Sequence, residues 1–134
     1  NPVANFARDG FVTWGQKTLQ TKPSAFDRLN VRRLFLILER ATYNVARYYV
    51  GEPNTVTTRV NVVGVLTPLF ELAKNNEGLY DYLIICDESN NTPTVIDNNE
   101  LRVDIYIKPV RTAEFVLITF HVTRTDQDFN ELIN

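Results

Sequence analysis

Few residues of this chain have the types and spacing that catalysis needs. His121 is the only imidazole. As a general base it needs a nucleophile or a carboxylate converging on it, and its neighbours Phe120 and Val122 place it on a sheet face instead. Cys86-Asp87-Glu88 follows an apolar run. Carboxylates at strand ends are frequent catalytic or metal-binding positions. Two adjacent acids make no metal cage, however, and no third acid can be paired with them from sequence. The structural alternative has Asp87 holding loop amides while Cys86 packs as a small hydrophobe. One cysteine excludes an internal disulfide and every multi-cysteine zinc pattern, and one histidine excludes a His-pair metal site. The five glycines form no phosphate cradle, and GxSxG, HExxH and EF-hand patterns are absent. Nothing here points to an enzyme or to a cofactor.

Two features point instead to binding. Arg33, Arg40 and Arg47 recur every seven residues, so on a helix they share one side with a drift of about 20° per step. Asn44 shares that side, which is expected to border the apolar stripe. Glu39 has no base three or four residues away, so local ion pairs do not account for the row. It is either a solvated helix face or a docking surface for an acidic partner. The second feature is the tail, TDQDFNELIN, with three acids, no base, and the apolar Phe129, Leu132 and Ile133. Such a tail either packs on its own domain or adds a strand to a neighbour.

The elements that position these residues are legible in outline. The chain has 134 residues, enough for one domain with its own core and too few for two. Its net charge of −2 argues against a bulk nucleic-acid binder, and no apolar run reaches the ~20 residues of a membrane helix. It begins at Asn1 and contains no Met, which suggests a fragment or a processed product.

Residues 1–9 read as an irregular opening, and residues 11–19 as a strand. The clearest helix covers residues 31–49, capped by Asn30, with Val31, Leu34, Leu38, Ala41, Val45 and Tyr48 on its buried face. A second helix, capped by Asn54 and carrying Val56, Val60, Val63, Leu66, Phe70 and Ala73 as its stripe, covers residues 55–75, with room for a kink at Pro68. Residues 79–86 form a buried strand, 87–93 a polar loop and 94–100 a turn or short helix. Residues 101–108 alternate apolar and polar as a half-buried strand, and 114–124 form a last long strand. The expected fold is α+β: two helices on a mixed or antiparallel sheet of about four strands, with an extended C-terminal arm.

The order of several short motifs then becomes informative. They are Gly10-Phe11-Val12-Thr13-Trp14-Gly15, Lys17-Thr18-Leu19 and Leu29-Asn30-Val31-Arg32-Arg33-Leu34, then Gly51-Glu52-Pro53-Asn54. Cys86-Asp87, Asn91-Thr92-Pro93, Pro109-Val110 and Ala113-Glu114-Phe115-Val116 follow. In this order and spacing, over residues 5–123, the chain resembles the C-terminal domain of contractile phage tail sheath proteins, a domain also found in R-type pyocins and related contractile injection systems.

That resemblance implies a structural subunit without enzymatic activity or cofactor. Its partners would be other sheath subunits in stacked hexameric rings, the inner tail tube and the baseplate, with no nucleic acid and no membrane insertion. The assembly would form in the host cytoplasm, belong to the virion tail, and contract to drive the tube through the host envelope. The resemblance also implies a domain at 1–124 and an arm at 125–134, in a larger subunit that supplies an N-terminal arm and outer domains. The exchanged arm would start after Phe120 and include Val122, Phe129, Leu132 and Ile133. Arg33, Arg40 and Arg47 are candidates to face the tube.

Overall fold

A computed structural model of the chain describes residues 3–120. The first two strands, β1 (Val3–Phe6) and β2 (Gly10–Thr13), form an antiparallel hairpin in which Phe6 pairs with Gly10. Gly10 has φ +71°, the left-handed conformation that closes a three-residue hairpin loop and that glycine adopts without steric cost. The opening residues are therefore a strand and not irregular. Ala4 and Asn5 have little strand propensity of their own, and pairing across the turn recruits them. The strand expected at 11–19 stops at Thr13. Beyond it, Gln16 and Thr18 turn to residues 27–29: Thr18 N donates to Asp27 O at 2.8 Å and Leu29 N to Gln16 O at 2.7 Å.

Helix α1 (Leu29–Ala46) runs on into a 3₁₀ turn, Arg47–Tyr49. Its N-cap position is Arg28, without a side-chain cap bond, and not Asn30. Asn30 sits one turn position inside the helix, where its Oδ1 is buried without a hydrogen-bond partner. Val31 and Leu38 are buried as expected, and Leu34 and Val45 pack against the core. Tyr48 is exposed, and Tyr49 packs inward instead. The tighter rotation of the 3₁₀ turn shifts the stripe by one residue.

Helix α2 (Val56–Asn75) is capped by Thr55, whose hydroxyl accepts from Thr58 N at 3.3 Å. Asn54, the expected cap, spends its amide elsewhere. The helix continues through Pro68. Its buried residues are Thr58, Arg59, Val62, Leu66 and Phe70, whereas Val56 and Val60 are exposed. The expected stripe is thus displaced in the first two turns. A helix with valines on most sides offers no sharp period, so packing decides which side goes in. The helix ends in a left-handed Glu77, with Gly78 N donating to Ala73 O at 2.9 Å. A Cβ on Gly78 would stand 3.0 Å from Ala73 O and 3.1 Å from Leu34 Cδ2, so glycine lets α1 approach this turn.

Strand β3 (Leu79–Ile85) pairs antiparallel with β4 (Asp104–Pro109), and the five-residue helix α3 (Pro93–Asp97) lies in the connection. Helix α2 packs on both α1 and β3. Leu38, Val62, Leu66, Phe70 and Leu79 form the centre of the core, surrounded by Tyr82, Ile84, Ile105 and Ile107 from the sheet.

The architecture is α+β, but the four strands make two separate two-stranded sheets. The long strand expected at 114–124 does not form over its described part: Glu114 is a bend and residues 115–120 have no ladder pairing. No backbone hydrogen bond joins residues 115–120 to another segment among the described residues. Val122, the arm at 125–134 and His121 lie outside the described residues.

Phe70, one of the largest buried side chains, joins α2 to Tyr82 across ring centroids 5.6 Å apart. Phe70→Ala is expected to lower stability by about 3–5 kcal/mol, read as a shift of the urea unfolding midpoint.

Candidate interaction surfaces

The segment after β4 is held at its root. Arg28, at the start of α1, grips the Glu114 carboxylate with both guanidinium nitrogens, Nη2 donating to Oε2 at 2.9 Å. Beyond that clamp, Phe115, Val116, Leu117, Ile118 and Phe120 are all exposed, Leu117 to 93%. Both sides of the segment therefore face outward, and neither is buried against the domain. The loop at Trp14–Leu19 and residues 112–115 border a groove of about 660 Å³. So many apolar residues on one uncovered segment exceed the scatter normal for a monomer's surface.

Arg33, Arg40 and Arg47 are all exposed, and none pairs with a carboxylate among the described residues. At about 100° per residue their side lies away from Val31 and Leu38, so the row does not border the buried stripe. It shares the outer face of α1 with exposed Leu29, Leu36, Ile37 and Tyr43. That mixture of fixed cations and apolar side chains suits contact with an acidic surface more than plain solvation.

Cys86-Asp87-Glu88 has a structural explanation. Cys86 is buried, which pushes its thiol pKa up. Asp87 accepts from the Ser89 hydroxyl and, at 2.8 Å, from Ser89 N, and these bonds hold its carboxyl below the usual range. The loop is organised by Asn91 and Asn54, which the sequence offered as parts of short motifs and, for Asn54, as a helix cap, together with Arg59. Asn91, 2% exposed, donates from Nδ2 to Asp87 O and Arg102 O and accepts at Oδ1 from Arg102 N at 2.8 Å. Its side-chain amide thus pairs with the backbone before β4 as a strand would, and β4 begins at Asp104 and not at 101. Asn54 Nδ2 donates to Asn91 Oδ1 at 3.2 Å and to Glu100 O at 2.8 Å, and Arg59 Nη1 donates to Asn54 Oδ1 at 2.9 Å. Among the described residues no group of three His, Cys, Asp or Glu is placed to hold a metal ion, and no helix is long and apolar enough to cross a membrane.

Residues 21–123 match the phage tail sheath C-terminal domain. The chain belongs to that family. It is 42% identical over 133 residues to the tail sheath protein of Vibrio phage KVP40 and 39% identical over 132 residues to that of Enterobacteria phage T4. These alignments cover 99% and 98% of the chain but only 20% of each relative, so the chain spans about a fifth of their length. The fold matches a chain of the contracted sheath complex of PVC, an extracellular contractile injection system, with TM-score 0.82 and 25% identity over 96% of this chain and 37% of that one. A chain in the baseplate of the anti-feeding prophage matches with TM-score 0.80 and 22% identity, covering 91% of this chain and 36% of that one.

Asp81 is also held below the usual carboxylate range, first by its hydrogen bond from Lys74 Nζ and then by one from the Tyr82 amide. Lowered folded values mean that Asp81 and Asp87 add stability above their ordinary pKa of 3.8. That contribution is lost as pH falls through the lower folded values. Urea midpoints followed from about pH 6 to about pH 2 should therefore fall less steeply in Asp81→Asn/Asp87→Asn than in the parent chain.

Proposed function

We propose that the chain is the C-terminal domain of a contractile tail sheath subunit. The subunit polymerises around the inner tail tube and contracts to drive it through the host envelope. It is assembled in the host cytoplasm and belongs to the virion tail, with sheath neighbours, the tube and the baseplate as partners. Its role is structural and non-enzymatic. In this reading residues 1–124 are assigned to the sheath C-terminal domain and 125–134 to its arm.

The observation that carries this reading is the apolar segment 115–120, unpaired, uncovered and clamped at its root by Arg28. A backbone in that state gains most by joining a sheet on another copy, where ladder hydrogen bonds supply affinity and alternate side chains are buried. The continuation through Val122 to Phe129, Leu132 and Ile133 would extend the contact. Links of this kind survive large movements, because the connecting backbone bends while the ladder stays paired. The complementary edges are those of the two-stranded sheets. Deletion of residues 126–134 from the full-length subunit is expected to abolish polymerisation into striated tubes seen by negative-stain electron microscopy. Undiminished tube formation would refute arm exchange.

The exposed, unpaired Arg33, Arg40 and Arg47 favour a second contact, with an acidic inner tube. Screened surface pairs are weak singly, roughly 0–1 kcal/mol each, which suits a layer that must let go during contraction. Arg33→Glu/Arg40→Glu/Arg47→Glu should weaken co-sedimentation of the subunit with purified tube by about tenfold or more. An equal loss of tube-free polymerisation would assign the row to sheath–sheath contact instead.

A further inference from the structure

A shallow cavity of about 370 Å³ lies where the first turn of α2 meets the end of β3, lined by Val56, Arg59, Val60, Cys86, Glu88 and Ser89, with Asp87 beside them. The Arg59 side chain is only 6% exposed. Among the described residues its one hydrogen bond goes to neutral Asn54, and its one carboxylate neighbour, Glu88, stands 3.9 Å away with a side chain 85% exposed. Asp87, the other nearby acid, is occupied by Ser89. A guanidinium with five donors, mostly withdrawn from water and so sparsely paired, still has most of its hydrogen-bonding capacity to offer. It sits at the positive end of a 20-residue helix. The rim of the cavity is apolar, with Val56 and Val60 exposed.

We infer that this cavity seats the acidic tail, residues 125–134, of a second copy of the chain, with Arg59 receiving a tail carboxylate. The inference rests on the arm-exchange reading above and adds to it the place where the arm's acidic end is held. Complementarity selects the occupant. The tail carries Asp126, Asp128 and Glu131 with no base, interleaved with Phe129, Leu132 and Ile133. The cavity offers one under-paired cation ringed by valines. Glu88 is then the chain's own weak stand-in, displaced when the tail arrives.

The test is fluorescence anisotropy of a labelled peptide of residues 125–134 titrated into the full chain. Binding is expected to weaken as salt rises. It should fall by about thirtyfold or more with Arg59→Gln. Because Arg59 is buried and its replacement can perturb folding, Val60→Asp at the exposed rim is the companion variant, and it should weaken binding comparably with an unchanged circular dichroism spectrum. A peptide carrying Asp126→Asn, Asp128→Asn and Glu131→Gln should bind at least about tenfold more weakly. Glu88→Gln, which removes the competing carboxylate, should tighten binding. No binding at about 1 mM peptide, or binding indifferent to both Val60→Asp and Glu88→Gln, overturns the seat. If the peptide ignores these variants while tail deletion still blocks tube assembly, the seat alone fails. If tubes form without the tail, arm exchange fails with it.

Discussion

A backbone amide or carbonyl on a sheet edge must find a partner in protein or in water, and among the described residues each of the two sheets has two strands. Much of the architecture answers that shortage. One answer is internal. Asn91 turns its side-chain amide onto the backbone of Arg102 and satisfies there what a third strand would have satisfied. Asn54 and Arg59 extend the same network to the first turn of α2, so the helix that carries the core is also tied to the loops at the end of the sheet. A network in which both asparagine amides are paired fixes one arrangement of loops, because each unpaired alternative leaves a buried amide unsatisfied.

The second answer is external. Residues 115–120 have β-branched and aromatic side chains suited to a strand, yet no ladder forms along them. The Arg28–Glu114 clamp fixes where this segment leaves the domain. A rigid root with an unpaired continuation is the geometry that strand exchange requires. The apolar side chains that would be a liability on a solitary domain become the interior of a contact once a second copy covers them. The narrow sheets and the exposed segment are what the proposed arm exchange would complete.

Much of the fold was legible because helix α1 and strand β3 carry strong local patterns. The stripe from Val31 to Val45 has a clean period, and a continuous apolar run bounded by Gly78 and Asp87 reads as a strand. The errors lie where local pattern is silent. Asn30 and Asn54 are both good N-caps by type, but the helix starts are set by what else those side chains bind, and Arg28 and Thr55 hold the positions. Helix α2 is apolar on several sides, so only the position of β3 determines that Val62 and Arg59 go in while Val56 and Val60 stay out. The Arg row was visible as a spacing, but its direction depended on where the core lay.

By itself the sequence determined the two long helices, the strands β3 and β4, the absence of any metal- or thiol-based motif, and the family, since those rest on composition, short-range periodicity and the order of motifs. The tertiary structure alone decided that the four strands of the described residues form two sheets, that residues 115–120 pair with none of them, and that Arg59 is buried beside a cavity. Strand pairing and burial depend on which distant segments meet. A strand's own residues prescribe its alternation of faces, but they carry no record of whether a partner backbone will be there.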